Sequence, residues 1–304
     1  MRANSRVNLN PFFVTGFADG ESSFVISICK DRKLKTGWRV MPVFAIKLHL
    51  KDLNLLNRIQ SFFGVGTIYI DKSRGSATYS VSRLKDFTNV IIPHFDNNPL
   101  STQKQADFKL FKMVIELINQ KEHLTAEGLN KILSIKASLN RGLSEELMKS
   151  FPNITPIERP VIEPREILDP NWLAGFTEAE GCFFVNISKS NRFKTGSQVQ
   201  LCFIITQHSR DTELMKIIVT NFGCGTYKGS RNRELGQFVV TRFSEISEKI
   251  IPFFLKYPLR GTKLLNFKDF CKVAELMRNK AHLTEQGLDQ ISQIKVGMTQ
   301  EENN

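Results

Sequence analysis

The segment FADGESSF, Phe17 to Phe24, returns as FTEAEGCF, Phe176 to Phe183, an offset of 159 residues. The same offset carries Lys35-Thr36-Gly37 onto Lys194-Thr195-Gly196, His49 and Asp52 onto His208 and Asp211, and Phe63-Gly64 onto Phe222-Gly223. Gly66-Thr67 falls on Gly225-Thr226, Ile92-Pro93 on Ile251-Pro252, Pro99-Leu100 on Pro258-Leu259, Lys104 on Lys263, and HLTAEGL from His123 on HLTEQGL from His282. One offset with no net gap makes the chain a tandem duplication. Its period far exceeds the ~20–50 residues of a solenoid unit, so two domain-sized halves related by a pseudo-twofold axis are expected. A run with prolines at 152, 156, 160, 164 and 170 ends the first periodic pattern. It divides the chain into a first repeat at 1–140, an interdomain linker at 141–169 and a second repeat at 170–304.

Each half opens on an apolar helix and continues in period two. Phe24, Ile26 and Ile28 alternate with Val25, Ser27 and Cys29, and Phe183, Val185 and Ile187 with Phe184, Asn186 and Ser188, the signature of strands with one apolar face. The Lys-Thr-Gly turn returns the chain into a second strand. There Phe44, Ile46 and Leu48 face one way, and Met41, Val43, Ala45 and Lys47 the other. The copy places Leu201, Phe203 and Ile205 inside and Gln198, Gln200, Cys202 and Thr206 outside. Leu53, Leu56, Ile59 and Phe63 keep helical spacing up to Gly64, a C-cap. Strands at 66–72 and 77–83 follow, then helices near 84–92, 102–120 and 125–138. The expected fold class is α+β, a tandem pseudo-twofold repeat of α-β-β-α-β-β-α halves with four antiparallel strands each, helices backing one face.

Forty-two Lys and Arg against thirty Asp and Glu leave a formal charge of +12, an excess that favours polyanions, nucleic acid foremost. Five cysteines, scattered and never in a CxxC pair, argue against a disulfide framework or a zinc site. No apolar run is long enough for a membrane span, and the N-terminus has no apolar signal core, so no membrane partner is expected.

The outward strand positions are rich in amide, hydroxyl and basic side chains and poor in carboxylates. In the first half they are Val25, Ser27, Cys29, Arg39, Met41, Lys47, Thr78, Ser80 and Ser82. In the second they are Phe184, Asn186, Ser188, Ser190, Gln198, Gln200, Cys202, Thr206, Gln237, Val239 and Thr241. Asn and Gln suit adenine and Arg or Lys guanine in the major groove, which admits a two-stranded ribbon. Between the strands lie Arg32, Lys33 and Lys35, then Lys72 and Arg74, with Arg192, Lys194, Lys228, Arg231 and Arg233 in the copy, placed to meet phosphates. A DNA-reading surface is expected.

The opening helices carry small residues four apart, Gly16 and Gly20, then Gly175 and Ala179, which let two backbones approach closely. If the copies pack on these faces, Glu21 and Glu180 emerge side by side where the last helical carbonyls lack partners. Such a cluster needs a cation, and hard oxygen ligands suit Mg2+ or Ca2+ better than zinc.

VTGFADGES at 14–22 and LAGFTEAEG at 173–181 resemble the two motif helices of the LAGLIDADG homing endonuclease family, in its single-chain, two-repeat branch. The resemblance covers nearly the whole chain. It implies two four-stranded sheets forming a DNA-binding saddle, motif helices at the domain interface, and a monomer that hydrolyses one phosphodiester per strand at a long double-stranded DNA target. It also implies metal-binding carboxylates at Glu21 and Glu180, supported by the carbonyls of Gly20 and Ala179, with Asp19 and Glu178 as helix-end residues. Mg2+ is the expected cofactor, with Mn2+ able to substitute and Ca2+ binding without cleavage. Gln207 and Lys228 are candidate catalytic helpers, with Lys104 and Lys263 weaker ones, and Leu48 stands at the Gln207 position of the first half. Ser22 replaces the family's glycine; a left-handed conformation there would cost a non-glycine residue about 1 kcal/mol. A mitochondrial intron product is implied. Intron RNA maturation and non-cleaving DNA binding are the alternatives within the fold.

Overall fold

The computed structural model describes residues 9–163, 166, 168–230 and 233–303. Two compact units result, Met1–Glu163 and Pro164–Asn304. In the first, the Asn10 side chain accepts the Phe12 N–H at 2.8 Å and Pro11 takes the first helical position, where its missing N–H costs nothing. Helix α1 (Pro11–Glu21) runs directly into β1 (Ser22–Lys30), which pairs with β2 (Trp38–His49). After α2 (Leu53–Phe63), closed by left-handed Gly64, come β3 (Thr67–Asp71) and β4 (Ser76–Val81). All pairings are antiparallel, in the order β1-β2-β4-β3. Helical segments α3 (84–97), α4 (Lys104–Asn119), α5 (Ala126–Ala137) and α6 (Glu145–Ser150) follow.

The second unit repeats the plan. Asp169 caps α7 (Pro170–Glu180) by accepting the Asn171 N–H at 2.7 Å. Then come β5 (Gly181–Lys189), β6 (Ser197–His208), α8 (Thr212–Phe222), β7 (Thr226–Gly229) and β8 (Leu235–Val240), in the sheet order β5-β6-β8-β7. Helical segments α9 (243–256), α10 (Lys263–Arg278) and α11 (Glu285–Asn303) complete it. Among the described residues no helix is long and apolar enough to cross a membrane.

The duplication extends to the core. Phe24 packs its ring against Phe44, Phe95, Phe108 and Phe111 at 5.1–5.4 Å between centroids. Phe183 meets Phe203, Phe254, Phe267 and Phe270 at 4.7–5.4 Å. Each ring stands 159 residues from its counterpart, so one phenylalanine on the first strand of each sheet organises the layer between sheet and helices. Gly66 and Gly225, at φ +81° and +76°, approach so closely that a Cβ would lie 2.6 Å from the Tyr79 ring and 2.7 Å from the Phe238 ring.

The stretch 141–169 was expected as a linker, but as far as Glu163 it is built into the first unit. Leu147 of α6 is buried with Trp38, Leu129 and Leu133, and Phe151 and Ile154 pack on the same cluster. Arg159 donates to Asp107 at 2.8 Å and to the Ser138 carbonyl at 2.9 Å. The prolines interrupt helical periodicity without preventing the apolar residues between them from being buried. Pro164, Arg165 and Ile167 lie outside the described residues.

Candidate active site and nucleic-acid interface

The buried helices α1 and α7 each end on a partly exposed glutamate, Glu21 and Glu180. A helix C-terminus leaves carbonyls without intrahelical partners and carries about half a negative charge. A lysine answers both in each unit. Lys104 Nζ donates to Ala18 O at 3.0 Å and Gly20 O at 2.9 Å, and Lys263 Nζ to Thr177 O and Ala179 O, both at 3.2 Å.

The acid two residues earlier holds that lysine in place. Asp19, 1% exposed, accepts the Ser101 N–H at 2.8 Å, the Thr102 N–H at 3.1 Å and the Thr102 hydroxyl at 2.6 Å. Glu178 accepts the Arg260 and Gly261 N–H groups at 2.6 and 2.9 Å. Asp19 and Glu178 thus tie the motif helix to the loop that launches α4 or α10, whose first residue is the lysine. Among the described residues no three His, Cys, Asp or Glu side chains gather into a metal cluster. Each unit instead offers a carboxylate beside main-chain oxygens, an all-oxygen donor set that fits a hard divalent cation with water and phosphate oxygens filling the remaining positions.

Ser22 departs from the expectation of strain. It sits at φ −87°, ψ 162°, ordinary extended backbone, and its hydroxyl donates to Ala18 O at 2.6 Å. Gly181 has nearly the same conformation, φ −83°, ψ 155°, so the position asks for β geometry in both repeats.

On the sheets, the expected outward residues pair across the strands in register. Val25 opposes Val43, Ser27 Met41 and Cys29 Arg39 in the first unit; Phe184 opposes Cys202, Asn186 Gln200 and Ser188 Gln198 in the second. Next to the motif helices a row crosses each sheet, Lys47–Thr78–Tyr69 and Thr206–Gln237–Lys228, and Gln237 donates to Thr206 at 3.2 Å. Ser80 and Val239 stand one row on, half-buried, and Ser82 and Thr241 just beyond β4 and β8. At the hairpin tips Arg32, Lys33, Lys35, Arg192 and Lys194 are exposed, as are Lys72, Arg74 and Arg233 in the other loops, and Ser190 is half-buried.

Some placements differ from the sequence reading. Cys202 keeps the outward register but is only 5% exposed, so its thiol, raised in pKa by burial first and by Cys182 second, is a covered contact. Arg39 is paired with Asp31, Nε to Oδ2 at 2.8 Å, which holds the hairpin turn. Gln207 shares the inward register of Phe203 and Ile205 at the end of β6, and its Oε1 accepts the His208 N–H at 2.9 Å. Arg231 lies outside the described residues. Tyr69, 63% exposed, was missed: it takes in the first unit the row position that Lys228 takes in the second, and the 159-residue offset alone would have found it.

The model of the family described as LAGLIDADG endonuclease matches residues 14–115 and 173–274. The chain belongs to that family. Each LAGLIDADG match starts inside α1 or α7 and ends in α4 or α10, so it spans both halves of the glutamate–lysine arrangement. The probable intron-encoded endonuclease 3 of Neurospora crassa is 43% identical over 95% of this chain and 54% of its own length. The chain therefore spans about half the length of that curated relative. Among solved structures, I-SmaMI bound to uncleaved DNA target in the presence of calcium ions is 44% identical with a TM-score of 0.93, covering 96% of this chain and 99% of that one. The I-LtrWI LAGLIDADG homing endonuclease bound to target DNA is 44% identical with a TM-score of 0.91, covering 94% and 96%.

Proposed function

We propose that the chain is a sequence-specific double-strand DNA endonuclease, a homing enzyme that hydrolyses one phosphodiester on each strand of a long target with Mg2+. The observation that carries this reading is a recurrence: in both repeats a glutamate closes a buried helix beside carbonyls held by a lysine, Glu21 with Lys104 and Glu180 with Lys263. The two copies of the motif differ at most positions around it, FADGESSF against FTEAEGCF, yet both keep this acid.

In this reading Glu21, helped by the Gly20 carbonyl, and Glu180, helped by the Ala179 carbonyl, would each hold a divalent cation. A bound divalent ion supplies a lowered pKa for water and offsets the phosphate charge, which Mg2+ or Mn2+ provides and Ca2+ does not bring to cleavage. Lys104 and Lys263 keep the helix-end carbonyls aligned and add fixed positive charge where negative charge grows on the phosphate. Lys228, on the outward row of the second unit, orients water; Gln207, on the opposite strand face and accepting the His208 N–H, does not share that role. Leu48 and Tyr69 occupy their places in the first, so this support is one-sided.

The two outward faces suit different half-sites. Val25, Val43 and Met41 present apolar surface fitted to thymine methyl groups, whereas Asn186, Gln198 and Gln200 present amides fitted to adenine edges. The target is accordingly not palindromic. The duplication supplies the twofold partner, so the enzyme works as a monomer. The intron-encoded relatives, one of them in an ND4 intron of Podospora anserina, support a mitochondrial intron product.

The test is incubation with intron-insertion-site DNA in Mg2+ and in chelator, with Glu21→Gln and Glu180→Gln alongside. The expected outcome is metal-dependent double-strand cleavage that falls by roughly a hundredfold or more in either variant while DNA binding persists. Undiminished cutting by the double variant would sink the metal assignment. Binding of intron RNA with no DNA cleavage would point to a maturase instead.

A further inference from the structure

The distal part of the β1–β2 hairpin is a two-stranded ribbon: β2 pairs with β4 only from Phe44 onward, whereas β1 and β2 pair out to Lys30 and Trp38. Two strands alone are marginal in water and need something to pack against. In the first unit the inward-facing residues of this ribbon, Trp38, Ile28 and Val40, pack with Leu147, Phe151 and Ile154 of the segment 141–163. The Trp38 and Phe151 rings lie 5.3 Å apart, and Lys30 reaches Glu146 at 3.0 Å. Behind this seat, Asp107 is held by Arg159 at 2.8 Å and by the Asn140 N–H at 3.1 Å, and the Asn140 amide donates to Phe24 O at 2.7 Å.

The 159-residue offset shows that the seat is one-sided. Trp38 corresponds to Ser197, Leu133 to Ser292 and Asp107 to Asn266. The second repeat thus lacks the indole, one leucine and the anionic anchor of this seat, whereas Ile28, Val40 and Leu129 keep apolar counterparts in Ile187, Val199 and Leu288.

We propose that the segment 141–163 is a buttress that fixes the tip of the β1–β2 hairpin, so that the DNA half-site under the first unit is read more stringently than the one under the second. The half-site part rests on the endonuclease reading above. Arg32, Lys33 and Lys35 sit at this tip, and phosphate contacts of that kind set the register from which base contacts are made. A rigid tip gives up little freedom on binding and cannot tilt to accept a wrong base. The β5–β6 tip lacks the Trp38 seat and the Asp107 anchor, with α11 against β5 instead, and is freer to do so.

The test compares wild type with Phe151→Ser, which alters a partly exposed residue, and with Leu147→Ser/Phe151→Ser. Hydrogen exchange in the free protein is read at 30–39 and 189–198. Exchange at 30–39 should rise roughly tenfold in the double variant and less in the single, with 189–198 unchanged. On DNA libraries randomised in one half-site at a time, the variants should accept more sequences on the first unit's side only. Unchanged exchange at 30–39, or an equal rise in both hairpins, overturns the buttress in either variant. Equal broadening of both half-sites overturns the stringency claim. A wild-type protein that cleaves no DNA would instead count against the endonuclease reading, while the exchange measurement still decides the buttress.

Discussion

His94 is a half-buried base in a ring of aromatics, with Phe62, Phe63 and Phe95 edge-on at 4.8–5.3 Å. Thr15 gives its hydroxyl proton to Asn98 O at 2.9 Å, so His94 Nε2, 3.1 Å from Thr15 Oγ1, is the protonated nitrogen that donates to it. Burial pushes the His94 pKa down to about 4, from 6.5. Below pH 6.5 the unfolded chain takes up a proton that the folded chain refuses. The stabilisation is therefore complete above 6.5 and lost as pH falls toward 4, by up to about 3 kcal/mol. Phe253 holds the equivalent place in the second unit, so His94→Phe should flatten that acid limb, as thermal melts between those pH values would show. An unchanged limb would rule this account out. A second residue-scale coupling concerns the motif-helix ends. A Cβ on Gly181 would lie 2.5 Å from Thr177 Cγ2, whereas Ser22 faces the smaller Ala18. Gly181→Ser should cost about 1–3 kcal/mol. Adding Thr177→Ala should restore part of it, a non-additivity that paired melts measure.

At the scale of elements, what could be read from the chain was what repeats or alternates. The strand faces, the Gly64 cap and the helix near 102–120 all follow from periods of 2 and 3.6 that burial enforces locally. The acids at Glu21 and Glu180 were legible for another reason, since their recurrence at one offset cannot be an accident of composition. Tyr69 was not legible from alternation, because Tyr69 and Ile70 are both exposed on the short β3; only the 159-residue offset from Lys228 marks it. Nor was α6 within its proline-rich neighbourhood, since its burial depends on Trp38, more than a hundred residues earlier in the sequence. The roles of Lys104 and Lys263 needed the loops pinned by Asp19 and Glu178. With Thr78 and Lys47, Tyr69 completes a row beside the motif helix, and on the endonuclease reading its phenol meets DNA. Tyr69→Ala should weaken DNA binding by about 1 kcal/mol in equilibrium titrations, with the melting temperature unchanged because the ring packs on no core. Equal affinity would remove Tyr69 from the interface.

For the whole molecule, a net charge of +12 predicts a binding constant that falls steeply as salt rises from about 50 to about 200 mM. Replacing Arg32, Lys33 and Lys35 together by serine should flatten the log–log slope by about 0.9 for each phosphate that these side chains neutralise. A parallel shift at constant slope would mean that they do not touch the backbone of the DNA. The one-sided seat under the first hairpin has a different consequence, for modularity. A symmetric protein assembled from two copies of the first repeat would carry a support for each of its hairpins within the copied sequence. One assembled from two copies of the second repeat would carry neither the Trp38 seat nor the Asp107 anchor at either hairpin. The repeats are thus unequal spare parts: the first is the better starting block for a designed single-repeat dimer, and a dimer of the second should reveal itself by loosely ordered hairpins.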